Sequence, residues 1–129
     1  RLDLVVGHLG ERTAVLVNHT EVEPDRWIGI QLVATQSHRD AVGASVTVNT
    51  DQRSWVMQRV GGDGYYVTHE PTLRATLQAG ESLENVQIRW PSGATEQLSG
   101  SRDGVSAGAI WRVIEGQGGP VRMEFSMAR

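Results

Sequence analysis

Apolar side chains in this sequence recur at every second position, in short runs that glycine, proline or a polar cluster ends within a few residues. Ile28, Ile30 and Leu32 alternate with Gly29 and Gln31, and Val86, Ile88 and Trp90 alternate with Gln87 and Arg89. A period of two is what a strand buried on one face requires, whereas a helix would need apolar residues three and four apart. Similar runs lie at residues 1–6, 14–17, 44–48, 55–60, 65–68, 73–77, 95–98 and 109–114. Between them stand turn clusters whose chemistry is plain. Asn49-Thr50-Asp51-Gln52 separates two runs as a hairpin would, and Pro91 presets φ for a turn that Gly93 can complete in the left-handed region. The densest breaker, Gly61-Gly62-Asp63-Gly64, suits a backbone that needs positive φ or a close approach. Only a single helical turn, near residues 82–84, is expected. About eight to ten short strands without strand–helix alternation predict an all-β fold, an antiparallel β-sandwich or a partly open barrel.

The length of 129 residues suits one domain with a real core, and 15 glycines agree with a turn-rich fold. Twelve arginines against 15 acidic residues leave a net charge of −3, so no excess positive field exists for phosphate neutralisation and nucleic acid is not an expected partner. Lysine is absent, which reads as a genomic bias such as that of a GC-rich bacterium. The absence of cysteine removes thiolate catalysis, disulfides and cysteine-based zinc sites together. No apolar run reaches the ~18 residues of a membrane span, and the first residues lack a secretory pattern. With no initiating Met, the chain reads as a mature fragment or a domain cut from something longer. Residues 1–22 form a hairpin-like unit, residues 23–116 the main β domain, and residues 117–129 a tail or an added strand.

Three ordered blocks carry a family resemblance. Ser37-His38-Arg39-Asp40-Ala41-Val42-Gly43-Ala44, Arg59-Val60-Gly61-Gly62-Asp63-Gly64-Tyr65 and Val86-Gln87-Ile88-Arg89-Trp90-Pro91-Ser92-Gly93 together resemble the ASPIC/UnbV domain, also called the cartilage acidic protein 1 homology domain. His38 stands where that family commonly has Asn, and Ala75-Thr76-Leu77-Gln78 where it often has Phe-Gly-Leu-Gly. Leu2-Asp3-Leu4-Val5-Val6 is similar to the end of an FG-GAP/VCBS propeller repeat. The resemblance implies a larger, exported parent protein, extracellular, periplasmic or at the cell surface, in which a β-propeller precedes this domain. Calcium is then expected in the upstream propeller and no cofactor in this chain, because calcium takes roughly six to eight oxygen ligands and Asp3 alone supplies too few.

The most concentrated polar group is Ser37, His38, Arg39 and Asp40. Arg39 could grip a carboxylate or a sugar hydroxyl through its planar fork with Asp40 orienting it, or the pair could simply fix a turn. Tyr65 could be a stacking platform after the glycine loop, or could close the edge of the core. Trp90 alternates with Val86 and Ile88 and is expected to be buried, and at least two of Trp27, Trp55, Trp90 and Trp111 should be core. The four histidines show no metal-site spacing, and no metal ligands are assigned. His69-Glu70 and His38-Asp40 could each seat a general base, but no Gly-x-Ser-x-Gly elbow accompanies them, and no catalytic residue is assigned. The expected function is a non-catalytic binding or structural module contacting the parent's propeller and an extracellular protein, polysaccharide or matrix component. The alternative is an accessory or catalytic domain of a natural-product biosynthesis enzyme of the UnbV type.

Overall fold

The computed structural model describes residues 2–21, 23 and 25–124. Ten strands and one helical turn follow each other: β1 (Leu4–Val6), β2 (Ala14–Leu16), β3 (Trp27–Val33), β4 (Ser45–Thr50), β5 (Ser54–Gln58), β6 (Leu73–Thr76), β7 (Leu83–Arg89), β8 (Thr95–Ser99), α1 (Gly100–Asp103), β9 (Ala109–Ile114) and β10 (Val121–Met123). They form a two-stranded sheet, β1-β2, and two four-stranded sheets, β10-β9-β3-β6 and β5-β4-β7-β8. The all-β sandwich expected from the alternation is therefore present, with no closed barrel among the described residues. One ladder departs from antiparallel pairing. Strands β3 and β9 run parallel, Ile28 beside Ala109 through Val33 beside Ile114. Parallel neighbours need a long crossover, and here the strands of the second sheet lie between them in the chain.

The core follows from the alternation. Ile28, Ile30 and Leu32 of β3 and Trp111 and Val113 of β9 are buried in one cluster with Val46 and Val48 of β4, Val86 and Ile88 of β7, and Leu98 of β8. Trp90 and Trp111 are core, as the expectation of at least two buried tryptophans requires, and Trp55 packs partly buried against the core cluster. Trp111 turns its indole N–H to the Ser106 carbonyl at 2.9 Å.

The outer face of the first sheet carries a smaller cluster. A Cβ built on Gly29 would lie 2.8 Å from Cγ1 of Ile110, 3.1 Å from Cγ2 of Thr72 and 3.4 Å from the Trp27 ring. Ile110 points away from the main core yet is buried, because these side chains converge over the bare backbone of Gly29. Glycine here serves close approach rather than a turn.

One local expectation, the place of the helical turn, is corrected. Instead of a helical turn at residues 82–84, Leu83 and Glu84 open strand β7, since Leu83 joins the ladder opposite Thr50. The helical turn lies at Gly100–Asp103, where the Ser99 side chain accepts from the Arg102 amide and Gly104 ends it at φ 70°. In the tail, β10 is an added strand on β9, pairing Val121 with Arg112 through Met123 with Ile110. Residues 125–129 of that tail lie outside the described residues.

Candidate functional site

Strand directions place four connections at one end of the sandwich. Strand β3 ends at Val33 beside the end of its parallel partner β9, and the opposite sheet pairs Ser45, the start of β4, with both Gln58 and Arg89. The segments 34–44, 59–72, 90–94 and 115–120 leave these ends. All three sequence blocks that carry the family resemblance thus meet in space although they span residues 37–93.

Glu115 ties them together. Its amide donates to the Val33 carbonyl at 2.9 Å. One carboxylate oxygen accepts from the amides of Thr35 at 2.9 Å and Gln36 at 3.0 Å, and the other accepts from the Ser92 hydroxyl. Thr35 returns a hydroxyl bond to the Glu115 carbonyl at 3.0 Å. The side chain is buried, and its pKa is held below the ordinary carboxylate value by the Ser92 hydroxyl and the Gln36 amide, with burial opposing and the Thr35 amide adding. A buried carboxylate stays ionised here because donors from two loops replace its water. Sequence reasoning passed over this residue. Its signal was available: Trp111, Val113 and Glu115 share one side of a strand pattern, so a charge stands at an inward position.

The 34–44 loop is built from short turns above this anchor. The Ala34 amide donates to Arg39 at 3.0 Å and the Ala41 amide to His38 at 2.8 Å, closing the loop on itself. The Gly43 amide donates to Arg59 and the Arg59 amide to Ala44, each at 2.8 Å, which binds the first block to the second. Ala41 is fully buried at φ 52°, a left-handed conformation uncommon outside glycine.

The five sequence-assigned residues are distributed by this frame. Arg39 and Asp40 line a cleft of about 230 Å³ with Arg59, Arg112, Gln31 and Pro71 among its walls. His38 is exposed, its Nδ1 accepting from the Asp40 amide at 3.4 Å. Ser37 turns inward, with Oγ buried and lacking a hydrogen-bond partner among the described residues. Tyr65 stands outside the cleft, 89% exposed, edge-on to Tyr66 with ring centroids 4.5 Å apart. A Gly64–Val67 bridge closes this tip, and a Cβ at Gly64 would run into Val67. Tyr66 is 90% exposed at φ 56°. The fold keeps both rings in water on a strained, tight turn, rather than closing the core with them.

The other polar groups named from the sequence are already engaged. His69 Nε2 lies 3.2 Å from Asp63, across the base of the tyrosine tip. Glu70 pairs with Arg74 at 2.8 Å, and that hydrogen bond holds its pKa below the ordinary value, with burial opposing. Asp3 accepts from the Asn18 amide at 2.9 Å across the β1-β2 hairpin. A larger open cleft, about 660 Å³, lies between β8, α1 and residues 116–120, but Arg102 and Asp103 pair with each other there and Glu96 accepts from the Gly116 amide. Among the described residues no three His, Asp or Glu side chains cluster as a metal site would need.

A family model described as ASPIC and UnbV matches residues 34–119, well over half of the chain. The match takes in the connections 34–44, 59–72 and 90–94 and residues 115–119 of the fourth. No curated protein matches the chain.

Proposed function

Because the chain belongs to the ASPIC and UnbV family, we infer that it is a non-catalytic binding module which presents the loop end of its sandwich to an extracellular protein, polysaccharide or matrix partner. The observation that carries this reading is the exposure of Tyr65 and Tyr66 on a tight turn, at the same end as the Arg39 and Asp40 cleft. Tyrosine and arginine are the residue types that dominate contact energy when a partner covers them. Exposed aromatic rings beside polar groups also suit sugars, whose C–H faces stack on them.

The β1-β2 sheet supports a larger parent. Leu4 pairs with Leu16 and Val5 with Val15, and all four side chains are exposed. A lone two-stranded sheet is marginal in water. Apolar side chains left open on both strands suit strands completed by neighbours, as the last strands of an FG-GAP/VCBS propeller blade would be. The module then caps that propeller outside the cytoplasm.

Binding is tested by screening the full chain against arrayed extracellular polysaccharides and matrix proteins, together with the Arg39→Ala and Tyr65→Ala variants. Specific capture that either substitution weakens supports the reading. Capture indifferent to both substitutions, or reproducible chemical turnover by the chain, overturns it.

A further inference from the structure

We propose that the cleft bounded by Arg39, Arg59 and Arg112 binds the carboxylate of an acidic sugar, a uronate residue of an anionic polysaccharide; this deepens the binding-module reading and rests on it.

Arg26, Arg53, Arg74 and Arg102 each have a carboxylate within ion-pair distance, in Glu23, Glu81, Glu70 and Asp103 respectively. The three arginines of the cleft have none among the described residues, although the protein as a whole carries a net charge of −3. Arg12, Arg89 and Arg122 also have none among the described residues, but Arg39, Arg59 and Arg112 converge on one cleft, where Asp40 lies without reaching ion-pair distance of any of them. Three like charges sharing a cleft of about 230 Å³ repel one another, and an anion entering between them relieves that repulsion.

Two of the three are held ready by neighbours. Arg112 donates Nε to the Gln31 side chain at 2.9 Å, which fixes the plane of its guanidinium and leaves both terminal nitrogens for a ligand. Arg59 is steadied by a bond from one terminal nitrogen to the Val60 carbonyl. Arg39 comes from the loop that the Glu115 anchor supports, so its position depends on the same frame.

The remaining walls decide the kind of anion. Asp40 is the one carboxylate lining the cleft among the described residues, and it disfavours a multiply charged anion such as phosphate more than a ligand with a single carboxylate and neutral hydroxyls. For a uronate it accepts hydrogen bonds from the ring hydroxyls while the arginines take the carboxylate. Val33 and Pro71 give the C–H face of a sugar ring an apolar surface. The volume suits a single ring, short of the ~300 Å³ at which drug-sized ligand pockets begin.

The probe is oligogalacturonate, titrated calorimetrically into the full chain beside its methyl ester, a neutral galactan oligosaccharide and an oligoglutamate peptide. Oligogalacturonate is expected to bind, with affinity falling as salt rises. Esterification, and each of Arg39→Ala, Arg59→Ala and Arg112→Ala, should weaken binding about tenfold or more, the loss that follows from removing one charge-assisted hydrogen-bonding group. Arg112→Lys keeps the charge without the fork and should also weaken it. Tryptophan fluorescence checks that each variant is folded. Equal affinity for the ester, indifference to the arginine substitutions, or oligoglutamate binding as tightly overturns the proposal. A neutral glycan that binds and depends on Tyr65, with no response to uronate, removes the charge assignment and leaves the module reading standing. Silence across both this set and the wider polysaccharide and matrix screen removes both.

Discussion

Glu115 is a single side chain whose loss should loosen several loops at once. Its carboxylate accepts from Thr35, Gln36 and Ser92, so Glu115→Ala leaves two backbone amides and a hydroxyl without their acceptor in a partly buried place. The expected result is a lower melting temperature, with faster hydrogen exchange at the Thr35 and Gln36 amides than elsewhere in the sandwich. Uniform protection in the variant would refute the anchoring role. Trp90 sets a separate scale, since it is almost wholly buried and Trp90→Ala should cost about 3–5 kcal/mol in denaturant unfolding. Burial of Trp90 was legible from its alternation with Ile88 and Val86, and the exposed Arg39-Asp40 pair was legible as a polar cluster. The partners of Arg39 were not, because Arg59 and Arg112 lie on segments that only strand pairing brings beside it.

The strands themselves impose a test at Gly29. Its extended backbone asks nothing special of glycine, but the side chain of Ile110 occupies the space a Cβ would take. Gly29→Ala should destabilise by about 1–3 kcal/mol through overpacking, and Ile110→Ala in the same chain should recover part of that loss. Additive losses in the double variant would mean that the two residues do not compete for space. Strand β10 covers the outer edge of β9, so truncation of residues 118–129 exposes that edge and should promote self-association, seen as a larger species by size-exclusion chromatography. An unchanged elution position would show that the β9 edge is protected without β10.

For the molecule as a whole, Glu70, Glu81, Asp103 and Glu115 all titrate below their ordinary values when folded. Arg74 lowers Glu70. Burial raises Glu81, but the Gln78 amide and Arg53 outweigh it. Arg102 and the Ser99 amide lower Asp103. The unfolded chain therefore takes up protons before the folded one as acid is added, so stability is full above the ordinary carboxylate range of about 4 and declines as pH falls through the folded values. Thermal unfolding should be nearly flat near neutrality and drop steeply below about pH 4, with Glu115→Gln removing part of the decline. A profile identical to the wild type in that variant would mean that Glu115 contributes nothing to the acid limb. The alternation of apolar residues by itself determined the strands, the inward faces and the buried tryptophans, because that pattern is written in neighbouring positions. Only the tertiary structure decided the parallel β3-β9 ladder, the meeting of Thr35, Ser92 and Glu115, and the three arginines around one cleft. Each of these depends on how two sheets and their crossover bring distant segments together, which no local periodicity encodes.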